Sequence, residues 1–210
     1  SFWQPYLDQL PDTAEIGASF TWSDADLELL SGSLIRNISG FLREKIQDEY
    51  HTLRETTLAK DPESFPPEVF TLSRYIWAYA VLLSRSFRLR FNRESEIVAL
   101  VPFIDFINHD PDSTAYVAGV TEDRGRYVLL KTDRPFAVQE QVFDSYGRRS
   151  NDELLLLYGF ALENNVHNFV EIPLARLWES TELPEPKRAW LVARGVEQDD
   201  MQSLFLYRGR

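Results

Sequence analysis

The chain has 210 residues, 44% of them hydrophobic and 13% aromatic, which is enough apolar material for one large core or two small ones. Its 33 Asp and Glu against 22 Lys and Arg give a net charge of −11, which argues against nucleic acid as a partner. With no cysteine and three histidines, a thiol nucleophile and a Cys-ligated zinc are excluded, and we expect no metal. No apolar run approaches the roughly 20 residues of a membrane span, so we expect no membrane partner.

The first part of the chain has helical patterns. Ser23 and Asp26 have the spacing of a capping box, which predicts the start of a short helix. Apolar residues recur at steps of three and four from Ser33 to about Lys60, which predicts a long amphipathic helix. Three prolines within residues 61–67 end it, and the stretch from Tyr75 to Leu83 is apolar on nearly every face, which predicts a buried third helix.

Beyond Phe87 the sequence changes to short β-type runs separated by Asp, Pro and Gly. They predict strands over Ile97–Val101, Tyr116–Val120, Tyr127–Thr132 and Gln141–Tyr146. A second capping box, Ser150 with Glu153, predicts a helix that ends near Gly159. Phe169 to Ile172 predicts a last strand, and the remainder to Arg210 has a helical pattern that includes Leu177, Trp178, Trp190, Leu191 and Val192.

Two clusters place polar side chains where the local pattern calls for apolar ones. Asp105, Asn108 and His109 interrupt the apolar run that begins at Leu100. Buried polar groups need partners, and a ligand can be one of them. The second cluster runs from Asp144 through Tyr146 and a turn to a helix start, so that Tyr146 and the later Tyr158 could face one pocket.

Several motifs recur in this order and at similar spacing in a known family. They are Ser84-Arg85-Ser86-Phe87, the run from Val101-Pro102 to Asn108-His109, Ser145-Tyr146-Gly147 with Ser150 to Leu154, and Tyr158-Gly159-Phe160. Trp3-x-Pro5-Tyr6-Leu7 with Leu10-Pro11 adds a fifth. By these motifs the chain resembles the SET-domain protein methyltransferases of the Rubisco large-subunit lysine methyltransferase type, to which an actin-histidine methyltransferase branch is related.

The resemblance implies an α+β fold, namely a knotted β fold of the SET type with a helical insertion. It implies three segments: the helical insertion at residues 1–88, the SET core at 89–162, and the start of a helical C-terminal substrate-binding domain at 163–210. The Gly-x-Gly segment with which the family contacts its methyl donor is not found ahead of Trp3. We therefore expect either a fragment of a full enzyme or a protein that has lost activity.

The resemblance also implies roles for individual residues. The methyl donor S-adenosylmethionine would be the cofactor, with Arg85 at its amino-acid end, Asp105, Asn108 and His109 lining its cleft, and Phe160 stacked on the adenine. Tyr146 would be the catalytic tyrosine at a narrow channel between donor and acceptor, with Tyr158 beside it as a further residue that binds the methyl donor. Phe87, Tyr116 and Tyr146 would contact the substrate.

Plainer readings of these residues stay open. Asn108 and His109 can be a buried hydrogen-bonded pair that stabilises a turn, and Arg85 can cap the negative end of a helix. Tyr146 can be an ordinary half-buried strand aromatic, since tyrosine favours strands. The order of the motifs favours the methyl-donor site.

For the acceptor we expect lysine, because the related histidine-methylating branch has Asn and Trp at the positions held here by Phe87 and Ile104. The expected activity is methyl transfer to a lysine side chain of a protein partner. The alternatives are a histidine methyltransferase and a catalytically silent SET-like module that binds a protein. We expect an intracellular monomer in cytoplasm or nucleus, or in a plastid if the source is photosynthetic.

Overall fold

A computed structural model describes residues 1–92, 96–122, 125–132, 134–173, 184–193 and 203–207. The chain divides into two compact units, residues 1–161 and residues 162–210. Among the described helices, none combines the length and apolar composition that crossing a bilayer requires.

The first unit opens with three short helices, α1 (Gln4–Leu7), α2 (Thr13–Ile16) and α3 (Asp24–Leu27). Asp12 starts α2 through a complete capping box with Glu15. At α3 the Ser23 hydroxyl accepts a hydrogen bond from the Asp26 amide, which confirms the predicted helix start.

The predicted long amphipathic helix is confirmed as α4 (Leu34–Thr56), and a 3₁₀ turn at Leu58–Lys60 follows it. Its buried face includes Ile46 and Ser39. The Ser39 hydroxyl lies 2.6 Å from that of Ser19, so two buried polar groups satisfy each other inside the helical core.

The third predicted helix is α5 (Leu72–Arg85). The prediction that it is buried holds for one side only, because Ala80 and Val81 are buried whereas Leu82 is 48% exposed. The buried side packs with Ile16 and Phe20 of the N-terminal segment and with Ile46 of α4, together with Ala18. This cluster is the core that holds the end of α5, where Arg85 lies.

Two antiparallel hairpins follow: β1 (Phe87–Arg90) with β2 (Glu96–Ala99), and β4 (Tyr116–Glu122) with β5 (Gly125–Lys131). Strands β2, β4 and β5 were predicted from the sequence, with somewhat different bounds, whereas β1 was not. Its sequence Phe-Arg-Leu-Arg alternates over only four residues and follows a helix directly.

Between the hairpins, a 3₁₀ turn at Ile104–Phe106 leads into the two-residue strand β3 (Asn108–His109). This strand pairs in parallel with β6 (Phe143–Asp144), which is shorter than the strand predicted over Gln141–Tyr146. The Asp110 amide adds a 3.0 Å hydrogen bond to the Asp144 carbonyl. The pairing brings the first polar cluster beside the second.

Helix α6 (Asn151–Tyr158) begins at the predicted capping box, in which the Ser150 side chain bonds the Glu153 amide and the Glu153 carboxylate bonds the Ser150 amide. It ends at Gly159, whose φ of 78° is the left-handed conformation typical of a helix C-terminus. Both predicted ends of this helix are confirmed.

In the second unit, β7 (Phe169–Pro173) pairs antiparallel with β8 (Ser203–Tyr207), and α7 spans Glu185–Val192. Trp190, Leu191 and Val192 lie in the expected helix, whereas Leu177 and Trp178 lie outside the described residues. The prediction of helix to the end of the chain is wrong at β8. Aromatic residues favour strands, and the Phe169 ring packs on the rings of Phe205 and Tyr207 at 5.2 and 5.7 Å.

Candidate functional site

Tyr146 is held by the segment that contains β3. Its hydroxyl donates a 2.6 Å hydrogen bond to the Ile107 carbonyl, and its amide donates to His109 Nδ1 at 3.1 Å. Tyr146 lies two residues after the end of β6, and the chain then turns at Gly147, which has a φ of 100°. The parallel pairing of β3 and β6 therefore determines where the tyrosine ring lies.

An aromatic cluster surrounds this ring. The His109 ring stacks on Tyr146 with centroids 5.0 Å apart, and the Tyr158 ring lies 4.8 Å away. Phe160 is 6.2 Å from Tyr158 and 6.0 Å from His109. The cluster joins residues of β3, the turn after β6, the end of α6 and the residue beyond Gly159.

Burial changes the proton affinity of the two titratable rings in contact. Loss of hydration raises the pKa of Tyr146 to about 12, and the nearby Arg85 guanidinium opposes this only partly. Burial lowers the pKa of His109, although hydrogen bonding at the Asp144 backbone and the nearby carboxylates oppose the shift. Near neutral pH the phenol is therefore protonated and the imidazole favours its neutral form, as its acceptor role toward the Tyr146 amide requires.

Two cavities meet at this cluster. The first, the Phe160 cavity, has a volume of about 160 Å³ and is lined among others by Asn108, Phe106, Glu15 and Phe160. The second, the Phe87 cavity, has a volume of about 540 Å³ and is lined among others by Phe87, Val98, Asp144 and Leu157. Five residues line both and form a shared wall: Ser84, Arg85, Asp105, Tyr146 and Tyr158.

Arg85 and Asp105 carry the charge of the shared wall. Arg85 Nη1 donates a 2.9 Å hydrogen bond to the Asp105 backbone carbonyl, and the guanidinium lies 5.8 Å from the centre of the Phe106 ring. Asp105 is 5% exposed, and Tyr6 donates its hydroxyl to Asp105 Oδ2 at 2.5 Å. Burial raises the pKa of the Asp105 carboxyl, while the Tyr6 hydrogen bond and the Arg85 charge oppose the shift.

Each of these two side chains keeps an unused polar atom. Within the described residues, Arg85 Nε and Asp105 Oδ1 are buried and have no hydrogen-bond partner. An unpaired buried polar group is costly, so an unpaired donor and an unpaired acceptor in one wall indicate that a ligand completes them.

The structure brings most of the predicted site residues together. Arg85, Asp105, Tyr146 and Tyr158 lie in the shared wall, Asn108 and Phe160 on one side of it, and Phe87 on the other. His109 packs behind Tyr146. Tyr116, which was expected to contact the substrate, lies on β4, is 49% exposed and lines neither cavity; its ring lies 6.0 Å from Lys131 Nζ instead.

Three groups that hold the site residues in place were not predicted from the sequence. The Tyr6 hydroxyl reaches Asp105 across 99 positions of sequence, and the only signal for it was the Trp3 to Leu7 motif. The Ile107 carbonyl that accepts the Tyr146 hydroxyl belongs to the backbone, so this contact does not depend on the residue type and could not be predicted from it. Arg149 Nε donates to the Tyr146 carbonyl at 3.0 Å, and its guanidinium lies 5.8 Å from the centre of the Tyr158 ring.

Among the described residues, no three His, Cys, Asp or Glu side chains gather as a metal site would require. The cavities are lined by aromatic rings, by the guanidinium groups of Arg85, Arg88 and Arg149, and by the buried carboxyl groups of Asp105 and Asp144. Such groups can bind and align an organic ligand.

Comparison with known sequences gives consistent relatives, although no family model matches the chain. A chloroplastic [fructose-bisphosphate aldolase]-lysine N-methyltransferase from Arabidopsis thaliana is 32% identical over 185 residues, which cover 82% of this chain and 37% of that protein. An actin-histidine N-methyltransferase from Canis lupus familiaris is 28% identical, over 83% of this chain and 29% of that protein. The chain thus spans well under half the length of these relatives.

Solved structures agree. The SET domain of the methyltransferase LSMT bound to methyl-lysine and AdoHcy matches with a TM-score of 0.73 and 26% identity, over 100% of this chain and 47% of that one. The same domain bound to lysine and AdoHcy matches with a TM-score of 0.70 and 25% identity, over the same shares.

The fold is therefore that of a SET domain, and the expected α+β class is confirmed. More particularly, the chain belongs to the SET-domain methyltransferases of the type represented by the Rubisco large-subunit and actin-histidine enzymes.

Proposed function

We propose that this chain is the catalytic part of a protein methyltransferase that moves a methyl group from S-adenosylmethionine to a lysine side chain. The observation that carries the proposal is the shared wall, in which Tyr146 and Tyr158 separate two cavities of different chemistry. A transfer between two bound partners needs such a pair of cavities with one contact point. Relatives named as lysine methyltransferases support the proposal.

The Phe160 cavity suits one end of the methyl donor. S-adenosylmethionine has an α-amino and an α-carboxylate group at its amino-acid end, and the unpaired Asp105 Oδ1 and Arg85 Nε match that pair of charges. Asn108 offers hydrogen bonds, and Phe160 offers a face for stacking. With about 160 Å³, the cavity is below the roughly 300 Å³ of a typical small-molecule pocket, so it accounts for part of this ligand only.

When bound, S-adenosylmethionine supplies an electrophilic methyl group on a sulfonium sulfur. The task of this chain is to align that group with an incoming amine and to keep water away, which can be worth several orders of magnitude in rate. Tyr146 contributes by position, because its hydroxyl is held by the Ile107 carbonyl. With a pKa of about 12 it remains a neutral phenol and is unsuited to act as a general base near neutral pH.

The Phe87 cavity suits an alkyl amine. Phe87, Val98 and Leu157 form an apolar part of its lining that fits the methylene stem of lysine, beside the polar side chains of Arg88, Asp144 and Arg149. The Tyr146 and Tyr158 rings can attract a cationic or partly methylated amine, and a desolvated channel lowers the proton affinity of the lysine so that the neutral amine can attack.

Histidine is the alternative acceptor, because actin-histidine methyltransferases are among the relatives. Phe87 argues against it, since a phenyl ring offers an imidazole no hydrogen bond. Tandem mass spectrometry of protein treated with the enzyme and labelled S-adenosylmethionine decides between the two acceptors. Methyl groups on lysine support the proposal, and methyl groups on histidine overturn the assignment of lysine as the acceptor.

Binding tests the proposal directly. Calorimetry with the full-length protein should show S-adenosylmethionine binding that is weakened by Asn108→Ala and unaffected by Asn37→Ala, an exposed position on α4. If the unaltered protein does not bind, the chain is better described as a silent SET-like module that binds a protein partner.

We propose that residues 1–88, 89–162 and 163–210 are the helical insertion, the SET core and the start of a substrate-binding domain. We also propose a monomer with a protein substrate inside the cell, in a plastid if the source is photosynthetic, since relatives from Arabidopsis thaliana, Nicotiana tabacum and Pisum sativum are named chloroplastic. Light scattering and a fluorescent fusion test these two points.

A further inference from the structure

Tyr6 and Asp105 form a polar contact between the N-terminal helix α1 and the shared wall. The Tyr6 hydroxyl donates to Asp105 Oδ2 at 2.5 Å, and the Tyr6 ring lies 5.9 Å from the ring of Phe106. A hydroxyl bonded to a carboxylate gives a short and strong hydrogen bond. The contact therefore holds one oxygen of the Asp105 carboxylate in a defined place.

Arg85 lies beside the same carboxylate but does not pair with it. Its Nη1 bonds the Asp105 backbone carbonyl at 2.9 Å, and among the described residues no ion pair joins the two side chains. Opposite charges that are close and partly buried attract strongly, so this separation needs a cause. The Tyr6 hydroxyl supplies one, because it holds the carboxylate in another direction.

The unused atoms show what the arrangement preserves. Arg85 Nε and Asp105 Oδ1 have no partner within the described residues, and both residues line the Phe160 cavity. If the carboxylate turned to the guanidinium, a bidentate pair would consume both atoms. The wall would then offer a ligand neither a free donor nor a free acceptor.

We propose that Tyr6 is a positioning residue that holds Asp105 away from the Arg85 side chain and so keeps both available to the amino-acid end of the methyl donor. The inference rests on the proposed function. It assigns to α1, outside the two polar clusters, control over affinity for the methyl donor.

The variant that tests it is Tyr6→Phe, which removes one hydroxyl and retains the ring against Phe106. Titration calorimetry with S-adenosylhomocysteine should show binding weakened by about tenfold, the size expected for a hydrogen bond to a charged group. In turnover, the KM for S-adenosylmethionine should rise while kcat stays within about twofold. Tyr50→Phe is the matched control, because the Tyr50 hydroxyl donates a 2.8 Å bond to the Phe70 carbonyl and Tyr50 lines neither cavity.

A double-variant cycle separates positioning from general loosening of the fold. In an Asp105→Asn background the side chain has no charge to attract Arg85, so adding Tyr6→Phe should change S-adenosylhomocysteine affinity by less than about twofold. If Tyr6→Phe weakens binding equally in both backgrounds, or lowers the melting temperature without changing affinity, the positioning role is wrong.

The outcomes also distinguish this inference from the proposed function. If the unaltered full-length protein does not bind S-adenosylhomocysteine, the proposed function fails. If it binds and Tyr6→Phe binds equally well, only the role of Tyr6 is overturned.

Discussion

The Tyr146 hydroxyl donates a 2.6 Å hydrogen bond to the Ile107 carbonyl oxygen, which joins the turn after β6 to the segment that leads into β3. The bond holds the Tyr146 ring in one place in the wall that the two cavities share.

Tyr146→Phe removes this bond and keeps the ring. We expect kcat to fall by about 100-fold, the cost of slight misplacement at a reacting centre, with the Kd for S-adenosylmethionine within about twofold. Unfolding stability should fall by about 1 kcal/mol for the lost hydrogen bond. Steady-state kinetics measures the change in kcat, and urea unfolding measures the change in stability. A variant with full turnover would show that the hydroxyl has no part in alignment.

Phe160 should act on the methyl donor alone. Phe160→Ala removes the aromatic face of the Phe160 cavity, and we expect S-adenosylmethionine binding to weaken by about tenfold, since stacking on an aromatic ring is worth roughly 1–3 kcal/mol per base. The KM for the protein substrate should not change. Phe41→Ala on the exposed face of α4 is the control. Equal losses in both variants would argue against a stacking role.

Phe87 should act on the acceptor alone. Phe87→Asn replaces an apolar wall of the Phe87 cavity with an amide, and we expect kcat/KM for a lysine substrate to fall by about tenfold at unchanged S-adenosylmethionine affinity. Competition kinetics with labelled methyl donor measures it. Phe87→Leu, which stays apolar, should retain most of the activity; if it loses as much as Phe87→Asn, polarity is not what selects the acceptor.

Gly159 couples α6 to α2. A Cβ at Gly159 would overlap the Ile16 carbonyl and lie 2.6 Å from the Gly17 carbonyl carbon, and the φ of 78° is unfavourable for other residues. We expect Gly159→Ala to lower the free energy of unfolding by more than about 2 kcal/mol.

Gly32→Ala is the matched control for that change. Its φ of 87° is equally left-handed, but nothing lies within 4 Å of the added carbon, so the cost should be about 1 kcal/mol. Urea unfolding compares the two variants. Equal destabilisation would mean that the backbone around Ile16 moves at little cost to make room for the added carbon at Gly159.

The lowered pKa of His109 predicts that the folding stability depends on pH. Burial holds its pKa below the ordinary value of about 6.5, so in the window between the lowered pKa and pH 6.5 the unfolded chain binds more protons than the folded one. Folding stability should therefore fall as the pH is lowered through this window, and it should level off below the folded-state pKa. Protonation of Nδ1 also removes the acceptor for the Tyr146 amide.

His109→Gln removes that contribution, while the carboxyl groups whose pKa is raised, Asp105, Asp144 and Asp152, remain in both proteins. The difference in unfolding free energy between the variant and the unaltered protein should change with pH below about 6.5 and stay constant above it. Urea unfolding at a series of pH values measures it. A difference that is constant throughout would show that His109 titrates normally.

The sequence by itself determined the features that depend on close neighbours. Ser150 and Glu153, three residues apart, satisfy each other's amides at the start of α6, and Gly159 ends that helix because its backbone tolerates a positive φ. The amphipathic spacing of α4 and the short β-type runs that form β4 and β5 are likewise local. The motifs also placed Arg85, Tyr146 and Phe160 at one site, through resemblance.

Only the tertiary structure decided the contacts between distant segments. Tyr6 and Asp105 are 99 positions apart, and their hydrogen bond depends on how α1 packs beside the 3₁₀ turn. The two-residue pairing of β3 with β6 is too short for any periodic pattern. Tyr116 faces Lys131 across β4 and β5 because strand register, which sequence spacing does not specify, sets its neighbour. Such contacts follow from the path of the whole chain, since the free energy that forms them comes from packing between segments.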